Sequence, residues 1–206
     1  MYDVNLTESL FPPQTDGLLR DITVGELLRK TADRLPKSTA LVDVSIDGTV
    51  GREWNYGELL ETSEALAIAL TSRFKPGERV VVWAPNIPEW LFMEYACALA
   101  GLVLVTANPS FQQKELRYVL EQSGAAALFL VDSFRGNPMA DIARDAISGN
   151  QSIREVVNLE DESALFMTGS LSNELPEVQP TDPAQIQYTS GTTGFPKGAV
   201  LSHYNL

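Results

Sequence analysis

Residues 79–107, RVVVWAPNIPEWLFMEYACALAGLVLVTA, decide the fold of this chain. The run RVVVWA is short and apolar, which is typical of a buried strand, and LVLVTA at the end of the stretch repeats the pattern. Between them, IPEWLFMEYACALAG predicts a helix with Pro88 in its first turn. Two buried strands joined by a helix indicate a parallel crossover unit.

The same alternation continues toward the C-terminus. QQKELRYVLEQSG predicts a helix closed by Gly124, AALFLV a third strand, NPMADIARDAI a helix and IREVVNL a fourth strand. Residues 160–183 are polar and proline-rich and indicate a surface connection. AQIQYTS is then a last strand, and LSHYNL lies within an expected helix. The pattern predicts an α/β fold with a mainly parallel, doubly wound sheet and flanking helices.

Upstream of residue 79 the signals are local. Residues 1–21 predict an irregular N-terminal arm, and Thr23 with Glu26 has the spacing of a helix-capping box. Asp47-Gly48 between two strand-like runs predicts a small β-hairpin. Asn55 with Glu58 repeats the capping pattern ahead of a long helix.

Composition excludes several classes of partner. The net charge is −12, from 27 acidic and 15 basic residues, which argues against a nucleic-acid or anionic membrane surface as the main partner. No apolar run approaches the roughly 18 residues of a membrane span, and the N-terminus lacks signal-peptide features. A cytoplasmic location is the expectation. The single cysteine, Cys97, lies among small apolar residues and is expected in the core.

The stretch YTSGTTGFPKGAVLSHYN, residues 188–205, carries the candidate chemistry. It follows the last predicted strand directly, and ligands of open α/β sheets bind at the carboxyl ends of strands. Its glycines let the backbone approach a ligand closely, its hydroxyls donate hydrogen bonds, and Lys197 adds a mobile charge suited to phosphate. Together these features predict a polyphosphate site.

Two other interpretations of this stretch fit its residues less well. A Walker A loop is excluded, because Lys197 stands between Pro196 and Gly198 and neither neighbour fits that pattern. A flexible Gly/Ser/Thr linker would explain the composition, but it would not explain Pro-Lys-Gly followed directly by the apolar AVLSH. The order of residues therefore favours a binding loop.

The stretch closely resembles the phosphate-binding signature of the adenylate-forming enzymes, which include acyl-CoA synthetases, luciferases and peptide-synthetase adenylation domains. WNYGEL, APNIPEW and ANPSFQQKELRYVLEQSGAAALF resemble the N-terminal region of that superfamily and occur in its order. The resemblance covers the chain from about Ile22 to the end. The spacing of Asn108-Pro109 and Glu115-Leu116 is most similar to the fatty-acyl-CoA synthetase branch.

The resemblance implies an N-terminal AMP-binding domain that works with ATP, Mg²⁺ and coenzyme A on a carboxylic acid, with a fatty acid as the expected substrate. His203, in LSHYN, matches the family pattern and is a weaker candidate for the same site, although a structural role is favoured for it. No catalytic residue or metal ligand is assigned. The residues implied to wrap the ATP phosphates are Thr189, Ser190, Gly191, Thr192, Thr193, Gly194, Phe195, Pro196 and Lys197.

Members of this superfamily are usually much longer than this chain. Residues 22–206 are therefore expected to form an incomplete AMP-binding domain that ends in the phosphate-loop region and has no adenylation activity alone. Homo-oligomerisation stays open. The alternatives are another adenylate-forming enzyme, such as a luciferase or a peptide-synthetase domain, and a non-catalytic phosphate-binding or interaction module.

Overall fold

The computed structural model describes residues 20–45, 47–189 and 196–206. The expected N-terminal arm lies almost wholly outside these ranges, and so do residues 190–195 of the phosphate-binding signature. Among the described residues, no helix combines the length and the apolar character that crossing a bilayer requires.

The described chain forms a two-stranded hairpin, a six-stranded sheet and flanking helices. The strands are β1 Thr39–Val44, β2 Val50–Asn55, β3 Arg79–Trp83, β4 Val103–Ala107, β5 Ala127–Leu130, β6 Glu155–Asn158, β7 Pro183–Thr189 and β8 Lys197–Ser202. The helices are α1 Val24–Arg34, α2 Tyr56–Thr71, α3 Pro88–Ala100, α4 Gln113–Ser123, α5 Met139–Ala146 and the single turn α6 Glu162–Leu165.

The large sheet has the strand order β6-β5-β3-β4-β7-β8. Neighbouring strands run parallel from β6 to β7, and only β8 runs antiparallel, against β7. The separate pair β1–β2 is the antiparallel hairpin expected at Asp47-Gly48. The predicted fold class, a mainly parallel sheet with a small hairpin, is confirmed.

The helices cover both faces of the sheet. The chain steps one way from β3 to β4 and the opposite way from β4 to β5, so right-handed crossovers put α3 and α4 on opposite faces. The packing agrees with this assignment, because α1 and α2 contact α3 whereas α5 contacts α4. The direction of winding reverses between β3 and β4, and this reversal creates a crevice at their carboxyl ends.

Local signals set the helix ends as expected. The Thr23 side chain accepts a hydrogen bond from the backbone of Glu26 at 3.1 Å and caps α1, which is one of the two bonds of the expected capping box. Asn55 and Glu58 form both bonds of a capping box at the start of α2. Pro88 is the first residue of α3, and Gly124 ends α4 in the left-handed conformation at φ 60°.

The chain after residue 196 differs from the expectation. The helix predicted through LSHYNL is wrong for its first two residues, because Leu201 and Ser202 belong to β8. Antiparallel pairing with β7 runs from Thr189 opposite Lys197 to Pro183 opposite Ser202, and these backbone hydrogen bonds override the local pattern. Only a single 3-10 turn, His203–Asn205, follows the strand.

Candidate functional site

The phosphate-binding signature emerges from the carboxyl end of β7 and returns as β8. Thr189 is the last residue of β7, Lys197 is the first residue of β8, and the two lie directly opposite each other in the ladder. The described residues therefore place the two ends of the candidate loop side by side. The predicted binding residues Ser190, Gly191, Thr192, Thr193, Gly194 and Phe195 lie outside the described residues.

A cavity of about 390 Å³ opens beside this hairpin base. Its walls come from the carboxyl ends of β4 and β7 and from the segment that leads into α4. The lining residues are Thr106, Ala107, Asn108, Phe111, Tyr188, Thr189 and Pro196. The cavity thus lies at the carboxyl ends of parallel strands, the end of the sheet where open α/β folds bind their ligands.

The segment between β4 and α4 is held by three side-chain anchors. The Trp83 indole donates to the Asn108 carbonyl at 2.8 Å, and the Asn108 side chain accepts from the backbone of Ser110 at 2.9 Å. The Asn137 amide donates to the carbonyls of Pro109 at 3.0 Å and Phe111 at 3.3 Å. These bonds hold the main chain of residues 108–111, which forms one wall of the cavity.

In the sequence, Asn108 and Pro109 indicated only a similarity to the fatty-acyl-CoA synthetase branch. Trp83 and Asn137 were not predicted to take part in this site. Asn137 lies in the connection after β5, and no motif joins it to the loop that it holds. Trp83 had one usable signal, because it ends a buried strand and its indole N–H needs an acceptor.

Two tyrosines pack at the base of the hairpin. The Tyr118 hydroxyl, from α4, donates to the Pro196 carbonyl at 3.0 Å, and the Tyr188 hydroxyl, from β7, donates to the Gln122 side chain. The two rings meet edge to face, with centroids 6.4 Å apart. Burial, and next the neighbouring Tyr118, raise the pKa of Tyr188 to about 12. Tyr188 therefore stays protonated and can donate at any physiological pH.

Lys197 is exposed at the start of β8. No acidic side chain within residues 20–45, 47–189 and 196–206 forms an ion pair with it. An exposed ammonium group that has no ion-pair partner among the described residues is suited to an anionic ligand.

Gly198, the next residue, is a glycine for a steric reason. A Cβ atom at this position would lie 2.9 Å from Ile186 Cγ2 and 3.2 Å from Tyr188 Cζ. The Tyr188 ring thus occupies the space above the strand that follows Lys197. The glycine of the Pro-Lys-Gly sequence lets β8 lie close to β7 at the loop base.

His203 makes a structural contact. Its side chain is buried, and its Nδ1 accepts a hydrogen bond from the backbone N–H of Val24, the first residue of α1, at 3.3 Å. Burial lowers the pKa of His203, and nearby Asp182 opposes this shift. The sequence favoured a structural role for His203, either bonding backbone or capping the next helix, and the structure shows a bond to backbone at the start of α1. A contact between His203 and ATP stays a prediction.

The described residues hold no group of three or more His, Cys, Asp or Glu side chains that could bind a metal ion. Three of the predicted site residues lie within the described residues and are close together at the hairpin base: Thr189, Pro196 and Lys197. In chemical terms, the described part of the site offers the exposed Lys197 ammonium and the exposed Thr189 side chain, next to a cavity of ligand size.

Residues 28–206 match the sequence profile of the family described as "AMP-binding enzyme". The chain belongs to that family. Among curated relatives it is similar to the mitochondrial medium-chain acyl-CoA ligase ACSF2 of Pongo abelii, with 33% identity over 91% of this chain and 34% of the relative. The chain thus spans about a third of the length of the relative.

Solved structures show the same fold. The chain is similar to VinN in complex with 3-methylaspartate, with a TM-score of 0.72 and 29% identity, covering 91% of this chain and 49% of VinN. It is also similar to the inhibitor-bound N-terminal domain of FACL13 from Mycobacterium tuberculosis, with a TM-score of 0.73 and 25% identity, covering 88% of this chain and 44% of that domain. The architecture is that of the N-terminal part of an adenylate-forming enzyme.

Proposed function

We propose that the complete product of the gene is an ATP-dependent acyl-CoA synthetase of the AMP-forming type. In the first half-reaction a carboxylate oxygen attacks the α-phosphorus of ATP, and the bond to pyrophosphate breaks. In the second, the sulfur of coenzyme A attacks the acyl carbonyl, AMP leaves with the electrons of the broken C–O bond, and the thiol proton passes to solvent. The observation that carries this proposal is the match of residues 28–206 to the AMP-binding enzyme family, with Thr189 and Lys197 paired where the phosphate-binding signature leaves and re-enters the sheet.

The proposal gives the hairpin base an electrostatic role. Pyrophosphate gains negative charge as it leaves, and donors already aimed at that charge stabilise the transition state. The exposed Lys197 ammonium supplies a positive charge next to the loop, and the Thr189 hydroxyl can donate from the facing strand. Mg²⁺ enters as MgATP, whose phosphate oxygens are the hard ligands that this ion prefers.

A fatty acid is the proposed carboxylic acid. The support is the similarity to a medium-chain acyl-CoA ligase, together with the sequence resemblance to the fatty-acyl branch. A second candidate, an adenylate-forming enzyme for an amino acid, is favoured by the similarity to VinN, whose structure holds 3-methylaspartate.

The test is ATP–pyrophosphate exchange by the complete gene product with a panel of octanoate, palmitate, aspartate and a no-acid blank, followed by thioester formation with coenzyme A. Exchange and thioester formation with a fatty acid are expected. Exchange with aspartate alone, or exchange without transfer to coenzyme A, would support the other adenylate-forming enzymes. Binding of MgATP without exchange would support a non-catalytic phosphate-binding module.

Residues 1–206 alone are proposed to be inactive in the same assay, because the relatives use about three times this length. Exchange above the no-acid blank by the pure 206-residue chain would contradict this proposal. A cytoplasmic location likewise stays a proposal.

A further inference from the structure

Helix α4 contacts β7 and the residue just before β8 in the hairpin that carries the phosphate signature. Tyr118 reaches the Pro196 carbonyl at 3.0 Å, just before β8 begins. One turn further along α4, Gln122 accepts from the Tyr188 hydroxyl of β7. The same helix therefore contacts the chain on both sides of residues 190–195, at Tyr188 and at Pro196.

The contact between Tyr118 and Pro196 lies beside the first residue pair of the β7–β8 ladder. Pro196 directly precedes Lys197, which pairs with Thr189 at the start of the β7–β8 ladder. Tyr118 is itself held by edge-to-face packing on Tyr188. Because Gly198 has no Cβ atom, β8 can lie close to the Tyr188 ring. The main chain around Lys197 is therefore fixed from one side by α4 and from the other by β7.

We propose that Tyr118 is a positioning residue for the ATP phosphates. Its hydroxyl holds the main chain at Pro196, and this fixes the point from which the Lys197 side chain extends toward the leaving pyrophosphate. The proposal rests on the proposed function, because it assumes that Lys197 acts on the ATP phosphates. Tyr118 itself is not expected to touch ATP.

The primary variant is Tyr118→Phe, which keeps the ring and its packing on Tyr188 and removes only the hydroxyl. In the complete gene product, the rate of adenylate formation is expected to fall about twofold to tenfold, the range for loss of one neutral hydrogen bond. Thioester formation from presynthesised acyl-adenylate should not change, because pyrophosphate is absent from that step. Tyr56→Phe, which removes a tyrosine hydroxyl at the start of α2, is the matched control and should leave both rates unchanged.

A double-mutant cycle separates positioning from general structural damage. If Tyr118 acts through the place of Lys197, then Tyr118→Phe should cost little additional rate once Lys197→Ala is present. Multiplicative losses in the double variant would overturn the proposal. So would an equal loss in both half-reactions, or a melting temperature that falls in step with the rate.

Equilibrium binding of MgATP to the complete gene product distinguishes this proposal from the proposed function. If the unmodified protein binds MgATP and Tyr118→Phe binds and turns it over equally well, the positioning role is wrong and the proposed function stands. If the unmodified protein does not bind MgATP, the proposed function fails and the positioning role fails with it.

Discussion

Nδ1 of His203 accepts a hydrogen bond from the backbone N–H of Val24 across 179 residues of chain, at 3.3 Å. The first backbone N–H groups of a helix have no partner inside the helix. Thr23 satisfies one of these donors in α1 and His203 satisfies another. The end of the described chain thus stabilises the start of its first helix, and the imidazole must lack a proton on Nδ1 to do so.

Replacing His203 should therefore destabilise the protein. His203→Ala is expected to lower the free energy of unfolding by about 0.5–2 kcal/mol, the range for loss of a helix cap. In His203→Asn the side-chain oxygen can accept near the position of Nδ1, so this variant should lose less stability than His203→Ala. Urea unfolding at pH 7.5 measures both, and unchanged stability in His203→Ala would contradict the capping role.

The same contact predicts a pH dependence. Burial lowers the pKa of His203 below its ordinary value of 6.5, so the unfolded chain takes up a proton before the folded chain does. Stability is then fully present above pH 6.5 and is lost as pH falls from there toward the folded pKa. Unfolding curves between pH 7.5 and 5.5 should show a smaller decline for His203→Asn than for the unmodified protein. Equal declines in the two proteins would mean that the loss of stability at low pH comes from groups other than His203.

Lys197→Ala should slow adenylation in the complete gene product without unfolding it. Loss of one charge-assisted contact of about 1.5–3 kcal/mol corresponds to roughly a 10- to 150-fold lower rate of adenylate formation. Transfer from presynthesised acyl-adenylate to coenzyme A should change far less. Lys37→Ala, at another exposed lysine, is the control and should be neutral in both steps. Equal losses in the two half-reactions would show that Lys197 does not act on pyrophosphate.

Gly198→Ala should disturb the hairpin base, because the added Cβ meets Ile186 and Tyr188 at 2.9 and 3.2 Å. Overpacking of this kind costs about 1–3 kcal/mol, so we expect a lower melting temperature and a lower rate of adenylate formation. Gly51→Ala in β2 is the matched control, since its nearest contact is the partly buried Asp43 carboxylate at 3.3 Å, the end of a side chain that can move. A Gly198→Ala variant as stable and active as the unmodified protein would refute the close packing.

Glu94→Gln is expected to stabilise the protein at neutral pH. The Glu94 carboxylate on α3 accepts from Gln185 of β7, but its Oε2 is buried without a partner among the described residues. Burial raises the pKa of Glu94, so its contribution to stability is fully present below pH 4.5 and is lost as pH rises through the folded pKa. The variant should melt roughly 2–4 °C higher at pH 7.5, which corresponds to about 1 kcal/mol, with a smaller gain at pH 4.5. A gain independent of pH would exclude ionisation as the cause.

The predictions made from sequence succeed where the signal is local. Short apolar runs separated by helical patterns predicted β3 to β6 and the helices between them, because burial on both faces requires nearly continuous apolar strands. The capping box at Asn55 and Glu58 involves residues three apart, so the sequence carries the whole interaction. The phosphate signature was likewise recognisable as one continuous stretch.

The sequence by itself therefore determined the α/β class, the helix ends, the family and the position of the candidate phosphate loop at the end of a strand. Only the tertiary structure decided that residues 201–202 extend a strand, since β7 supplies hydrogen bonds that the local pattern does not contain. It also decided which partners His203, Tyr118 and Asn137 meet, because Val24, Pro196 and Phe111 lie 179, 78 and 26 residues away. Contacts over such separations depend on how the sheet is wound, and no short window of sequence records them.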